Sequence, residues 1–123
     1  MRGDSNRRRR VAELLRRELA TLIHHELNDP RAHGVTITAV DVSPDLSSAK
    51  VYFTTLATPE AAKESVVALN HAAQYLRHRL IGRLVLRGVP RLQFRYDESV
   101  ERGRVLADLI ERAVAENGGH ETE

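Results

Sequence analysis

Six arginines stand at 77, 79, 83, 87, 91 and 95, and no Asp or Glu lies among them. Four more, Arg7, Arg8, Arg9 and Arg10, run together near the start. A guanidinium offers two parallel donors to one phosphate and stays charged at any physiological pH. Gathering like charges costs folding energy through repulsion, and a polyanion returns it by taking those charges onto phosphates and releasing counterions. The formal net charge is only +2, so the positive charge is concentrated, not spread. Among the 19 basic residues only Lys50 and Lys63 are lysine. A GC-rich genome would also raise that ratio, so the clustering carries the signal. The competing reading is a solvated surface neutralised by acids further along, such as Glu98 and Glu101.

Other chemistries find little support. His24 and His25 are adjacent and point to different helix faces. His71 and His78 lie two turns apart, wider than the one-turn spacing of a zinc-binding helical pair, and His33 and His120 fall in a loop and the tail. There is no phosphate-binding glycine loop, dinucleotide fingerprint or GxSxG elbow, and the carboxylates are scattered. No catalytic residue, metal site or cofactor is therefore assigned. Aromatics are 4% of the chain, with no tryptophan. That argues against a face of stacked bases and makes Tyr52, Tyr75 and Tyr96 packing residues. Phosphate and shape contacts to structured RNA fit the composition better.

The elements that must position these arginines follow from periodicity. Val11, Leu14, Leu15, Leu19, Leu22 and Ile23 share a helical face, with Asp4 or Ser5 as cap and Asn28-Asp29-Pro30 as stop. Arg7 to Arg10 then sit in the first turns, where the helix dipole prefers anions, so local stability does not explain them. Val35–Val42 and Ala49–Leu56 read as two antiparallel strands around the turn Ser43-Pro44-Asp45-Leu46-Ser47-Ser48. Val51 and Phe53 face the core; Lys50, Tyr52 and Thr54 face away. Thr58-Pro59-Glu60 starts a long helix whose apolar stripe runs from Ala62 to Leu80, and periodicity alone makes it straight to Gly82. Leu92, Phe94 and Tyr96 alternate with Arg91, Gln93 and Arg95 in a third strand. Asp97 or Ser99 caps a last helix with a stripe of Leu106, Leu109, Ile110 and Ala113, which Asn117-Gly118-Gly119 should end.

The order helix, strand, strand, helix, strand, helix predicts an α+β fold with helices on one face of a three-stranded sheet. One domain, residues 1–115, is expected, with 1–6 flexible and 116–123 a disordered acidic tail. There is no cysteine, no apolar run near the roughly 20 residues of a membrane span, and no secretory signal; a cytoplasmic protein is the expectation.

These residues resemble a known family. Asp29-Pro30-Arg31, then VTITAVDVSPDLSSAKVYFTTL, LNHAAQYLRHRLIGRL and VPRLQFRYDESVERG, in this order, are similar to the ribosome-binding factor A family and its type II KH-like fold. The likeness covers roughly residues 7 to 115. It implies a non-enzymatic, monomeric protein that binds the free or immature small ribosomal subunit through its rRNA and aids late maturation and 5′-end processing of the precursor. It implies no GxxG loop, no cofactor, no membrane and no small-molecule substrate. The family breaks its long helix at an Ala-x-Gly kink, which places a kink at Ala72, Ala73 and Gln74, here without glycine. Arg91 stands where the family often has an acid and Val85 where a base is common, shifting the patch toward the third strand. The resulting RNA-binding set is Arg77, Arg79, Arg83, Arg87 and Arg91, with Lys50 and Arg7, Arg8, Arg9 and Arg10 as secondary contacts. A protein-interaction module without direct RNA contact is the alternative.

Overall fold

The computed structural model describes residues 2–56, 58–84 and 88–121, and their side chains except at 2–4, 100, 101 and 117–121. The elements are α1 (Arg2–Glu26), a 3-10 turn (Pro30–Ala32), β1 (Val35–Val42), β2 (Ser48–Thr55), α2 (Pro59–His71), α3 (Ala73–Arg83), β3 (Arg91–Tyr96) and α4 (Glu98–Glu121). The sheet order is β1-β2-β3. β1 and β2 are antiparallel, and β3 runs parallel to β2. The arrangement is the α+β fold predicted above.

The core forms where α1, α2 and α3 cover one sheet face. Val51, Phe53 and Phe94 point into it from the strands, and Leu15, Leu19, Leu22, Leu69, Leu76 and Leu80 meet them from the helices, all fully buried. Each such side chain contributes about 1.5–3 kcal/mol by leaving water. The alternation expected for β3 holds: Phe94 is buried, while Arg91, Gln93 and Arg95 are exposed. Leu92 and Tyr96 pack partly buried against the core.

The long helix is interrupted at Ala72, inside the 72–74 stretch where the resemblance placed a kink and periodicity did not. Ala72 has φ −88° and ψ −2°, and its N–H is shared between the carbonyls of Ala68 and Leu69, both at 3.1 Å. Alanine reaches this conformation without glycine, because φ stays negative. Both halves, α2 and α3, then pack on β3. Two residues before the break, Asn70 faces the outer edge of β3. Its carboxamide donates to the Phe94 carbonyl at 3.0 Å and accepts from the Phe94 N–H at 2.8 Å, as a neighbouring strand would. The opposite edge is held similarly: Arg8 donates through Nε and Nη2 to the Val42 carbonyl at 3.1 and 2.8 Å. Unpaired strand edges invite pairing with other chains, and these contacts occupy one position on each.

Two expectations about the ends are corrected. α1 already begins at Arg2, ahead of Asp4 and Ser5, so residues 2–6, expected to be flexible, are helical. The Arg8 anchor on β1 fixes the first turns, a tertiary contact that outweighs the dipole cost. α4 continues to Glu121 through Asn117-Gly118-Gly119, where a stop was expected, so 116–121 are helical. Glycine weakens a helix by about 1 kcal/mol but does not by itself end one. Residues 122 and 123 lie outside the described residues. α4 leaves the sheet at Asp97, whose carboxylate accepts from the Ser99 N–H at 3.0 Å and from Thr38 Oγ1 at 2.5 Å, where β1 bulges between Ile37 and Ala39. Its described residues 102–116 are all exposed, including the predicted stripe of Leu106, Leu109 and Ile110.

Candidate nucleic-acid interface

The sequence grouped its arginines by position along the chain; the fold sorts them by side of α3. On the side facing α1, Arg79 forms a two-pronged ion pair with Glu26, Nε to Oε2 at 2.9 Å and Nη2 to Oε1 at 2.6 Å. Tyr75 Oη adds a bond to the same carboxylate at 3.3 Å. The Arg79 guanidinium holds the Glu26 carboxyl below its ordinary range, and the arginine is raised in turn. One turn on, Arg83 Nε donates to Glu18 at 2.8 Å. The expectation of unpaired arginines is therefore corrected at Arg79 and Arg83. Residues 53 and 65 positions away supply the partners, a separation that no local charge count reveals.

On the side facing β3 the picture reverses. Arg77 (α3), Arg91 (β3) and Arg7 (α1) line one cleft of about 440 Å³, walled by Leu46, Ser47 and the segment Gly88-Val89-Pro90. The hollow beside it is lined by Ala73, Gln74, Arg77, Arg91 and Leu92, so the kink residues and two of the arginines share one trough along β3. Arg77 is fixed by one bond, Nε to the Val89 carbonyl at 2.9 Å, which leaves its terminal nitrogens for a ligand. Arg91 is set in place by its backbone N–H on the Ser47 carbonyl at 2.9 Å. Its side chain forms no ion pair among the described residues, and neither does Arg7.

The acid in the cleft wall is Asp45, and it is already occupied. Its Oδ1 accepts from the Ser47 hydroxyl at 2.7 Å, the Ser43 hydroxyl at 2.8 Å and the Ser47 N–H at 3.1 Å. These bonds, the Ser47 hydroxyl first, hold its carboxyl down at about 2. The turn is closed by Leu46 at φ +62°, a left-handed conformation that costs a side-chain-bearing residue about 1 kcal/mol or more. That conformation lets the turn place Leu46 against the core and Ser47 beside Arg91.

The N-terminal run does not form one patch. Successive residues on a helix point about 100° apart. Arg7 therefore reaches the cleft, Arg8 anchors β1 and lies 4.0 Å from Asp41, Arg9 lines a separate hollow beside Val40 and Asp41, and Arg10 is exposed elsewhere. Lys50, in β2, lies on the helix-free sheet face, opposite Gln93 of β3. Arg87 lies outside the described residues. Sequence reasoning missed Asn70, Glu18 and Glu26, which are defined by distant partners. It also took Tyr52 for a packing residue; the structure leaves it half-buried on the helix-free face. Among the described residues no group of three or more His, Cys, Asp or Glu is arranged to hold a metal ion, and no helix is long and apolar enough to cross a membrane.

A family model described as ribosome-binding factor A matches residues 7–110. A ribosome-binding factor A of Nitrosococcus oceani is 53% identical over 114 residues, covering 93% of this chain and 90% of the relative. One from Pseudomonas putida is 51% identical over 122 residues, covering 98% and 92%. Among solved structures, the crystal structure of ribosome-binding factor A from Thermus thermophilus superposes with TM-score 0.64 at 32% identity, over 72% of this chain and 94% of that one. A Thermus thermophilus homology model fitted into the cryo-EM map of a 30S–RbfA complex superposes with TM-score 0.59 at 34% identity, over 71% and 91%.

Proposed function

Because this chain belongs to the ribosome-binding factor A family, we propose that it binds the free or immature small ribosomal subunit and seats rRNA phosphates in the trough between α3 and β3. The observation that carries this reading is the convergence of Arg7, Arg77 and Arg91, from three elements, on one cleft whose acid is already satisfied by serines. The relative fitted into a 30S complex supports the choice of partner. In this reading no residue breaks a bond. The arginines position phosphates, and the body, residues 1–115, acts as a monomeric brace during late maturation and 5′-end processing of the small-subunit rRNA precursor, in the cytoplasm. Arg79 and Arg83 contribute only when released from Glu26 and Glu18. Lys50, Arg9 and Arg10 lie at the margin, and Arg87 is proposed as a further phosphate contact.

The test is co-sedimentation with purified small subunits. Arg7→Glu combined with Arg91→Glu should abolish it while leaving the thermal melt unchanged, and wild-type binding should fall steeply with salt. Retained binding by that double variant removes the trough from the reading. The exposed stripe of α4, Leu106, Leu109 and Ile110, favours a second reading in which a protein surface supplies the main contact. Weak salt dependence, with loss of binding on Leu109→Asp, would select it.

A further inference from the structure

The helix-free face of the sheet carries a different set of groups from the trough. Lys50, Tyr52 and Thr54 project from β2 on this side, and Arg91, Gln93 and Arg95 from β3, where they are exposed. The register sets Tyr52 opposite Arg95 and Lys50 opposite Gln93. On the other flank Tyr52 faces Ala39, and Thr54 faces Thr36. These neighbours are small. Opposite Tyr52 on β1 stands only a methyl, and Tyr52 is half-buried.

Among the described residues the Tyr52 hydroxyl has no hydrogen-bond partner, and Lys50, Arg91 and Arg95 have no ion pair. Three acids border the face. Glu98, which shares a hollow with Tyr52 and Arg95, is paired with Arg102 at 2.8 Å. Asp41 sits opposite Lys50 and is 4.0 Å from Arg8. Asp97 is occupied by Thr38 and Ser99. Positions two apart on a strand are about 7 Å apart on one face, and adjacent strands are about 4.8 Å apart. Arg91, then Lys50 with Gln93, then Arg95 with Tyr52 thus form a ladder in steps of about 7 Å, close to the spacing of successive phosphates in an extended single strand. The face offers positive charge and one half-buried aromatic ring, with no cluster of apolar side chains. That complements single-stranded nucleic acid, because every base has a face to stack and every phosphate a charge to neutralise.

We infer that the helix-free face is a second RNA contact, in which an unpaired base stacks on Tyr52 and its flanking phosphates lie against Lys50 and Arg95. This rests on the rRNA-binding reading and extends it: the protein would hold one RNA segment in the trough and a second, single-stranded one across the sheet.

The test uses the full chain and a ten-nucleotide oligouridine carrying 4-thiouridine and a fluorescent label. Affinity is read by anisotropy and the contact by photocrosslink mapping. Tyr52→Ala should weaken binding about 5- to 150-fold, the range for one stacked base. Tyr52→Phe should bind as wild type, and the crosslink should fall on the peptide holding Tyr52. Melting curves check that each variant folds. Small-subunit co-sedimentation of the wild type and of an Arg7→Glu variant, which changes the trough and leaves the sheet face intact, runs in parallel. If Tyr52→Ala binds the oligonucleotide like wild type, the inference fails, whatever the trough variant does. Equal losses for Ala and Phe would assign the effect to the hydroxyl and also overturn it. Subunit binding lost in Tyr52→Ala with oligonucleotide binding intact would mean that the face docks protein, again overturning it. Failure of the trough variant to lose subunit binding bears on the proposed function alone.

Discussion

The two flanks of α3 carry the same residue type to opposite ends. Toward α1, Arg79 and Arg83 meet Glu26 and Glu18 and form a neutral seam. Toward β3, Arg77 meets only a backbone carbonyl, and Arg91 and Arg7 keep their charge beside it. The difference is one of neighbours. α1 brings Glu26 to Arg79 and Glu18 to Arg83. β3 brings alternating cations, and the turn Ser43–Ser48 absorbs its own aspartate. A cluster of arginines in sequence is thus divided into a part that holds the fold and a part that faces a ligand.

The largest expected effect tests the ligand-facing flank. Arg7→Glu with Arg91→Glu should lower rRNA affinity about 10- to 100-fold at low salt and reduce the slope of log affinity against log salt by about 2. The paired flank gives the control: Arg83→Ala, whose exposed pair is worth about 0.2–1 kcal/mol, should leave affinity within a factor of two or three of wild type. Equal losses from the two flanks would break the comparison.

A second experiment concerns the wall on which the open flank is built. Asn70→Ala removes two hydrogen bonds to the Phe94 backbone and should cost about 1–3 kcal/mol of unfolding free energy, read by urea denaturation. It also frees a position on the outer edge of β3, so the variant should self-associate at high concentration where wild type does not. A variant as stable as wild type would show that α2 is held on β3 by packing alone.

Much of this architecture is legible in the sequence, and what is not has a common cause. Thr58-Pro59-Glu60 starts α2 as read, with the Thr58 hydroxyl accepting from the Ala61 N–H at 3.2 Å. Val51 and Phe53 are buried on the predicted face. These are local patterns, fixed by a period of two or by a cap and its first turn. The kink at Ala72 was legible only through the family likeness, because the apolar stripe passes through it unbroken. The ion pairs of Arg79 and Arg83, the Asn70 clamp and the half-burial of Tyr52 depend on residues brought together by the tertiary fold. The stripe of α4 was read correctly as amphipathic, yet amphipathicity does not say what the apolar face meets; in this chain it meets solvent.

Unlocking the seam should have a smaller effect, of opposite sign. Glu18→Gln with Glu26→Gln removes both carboxylate charges and leaves Arg79 and Arg83 as free cations next to the trough. Affinity for rRNA should rise by a few-fold, with a steeper salt dependence and a slight loss of thermal stability. Unchanged affinity would place the seam outside the reach of the ligand.

The smallest effect is one of pH, and it separates the two flanks through their acids. The Glu26 carboxyl is held below its ordinary value by Arg79, and Asp45 is held at about 2 by Ser47 and Ser43. A carboxyl whose folded pKa is depressed adds stability above its unfolded pKa and loses it as pH falls through the folded value. The Tm gap between wild type and Glu26→Gln should therefore be full at pH 7. It should begin to close near pH 4.3, the ordinary glutamate value, and vanish once Glu26 protonates in the folded state. The gap for Asp45→Asn should begin to close below the ordinary aspartate value and vanish only at about 2. Tm measured from pH 7 to pH 2 on the three proteins reads both. If the Glu26 gap does not close at all as pH falls below the ordinary glutamate value, the seam is not governed by its ion pair, and the contrast between the flanks reduces to which arginines happen to be exposed.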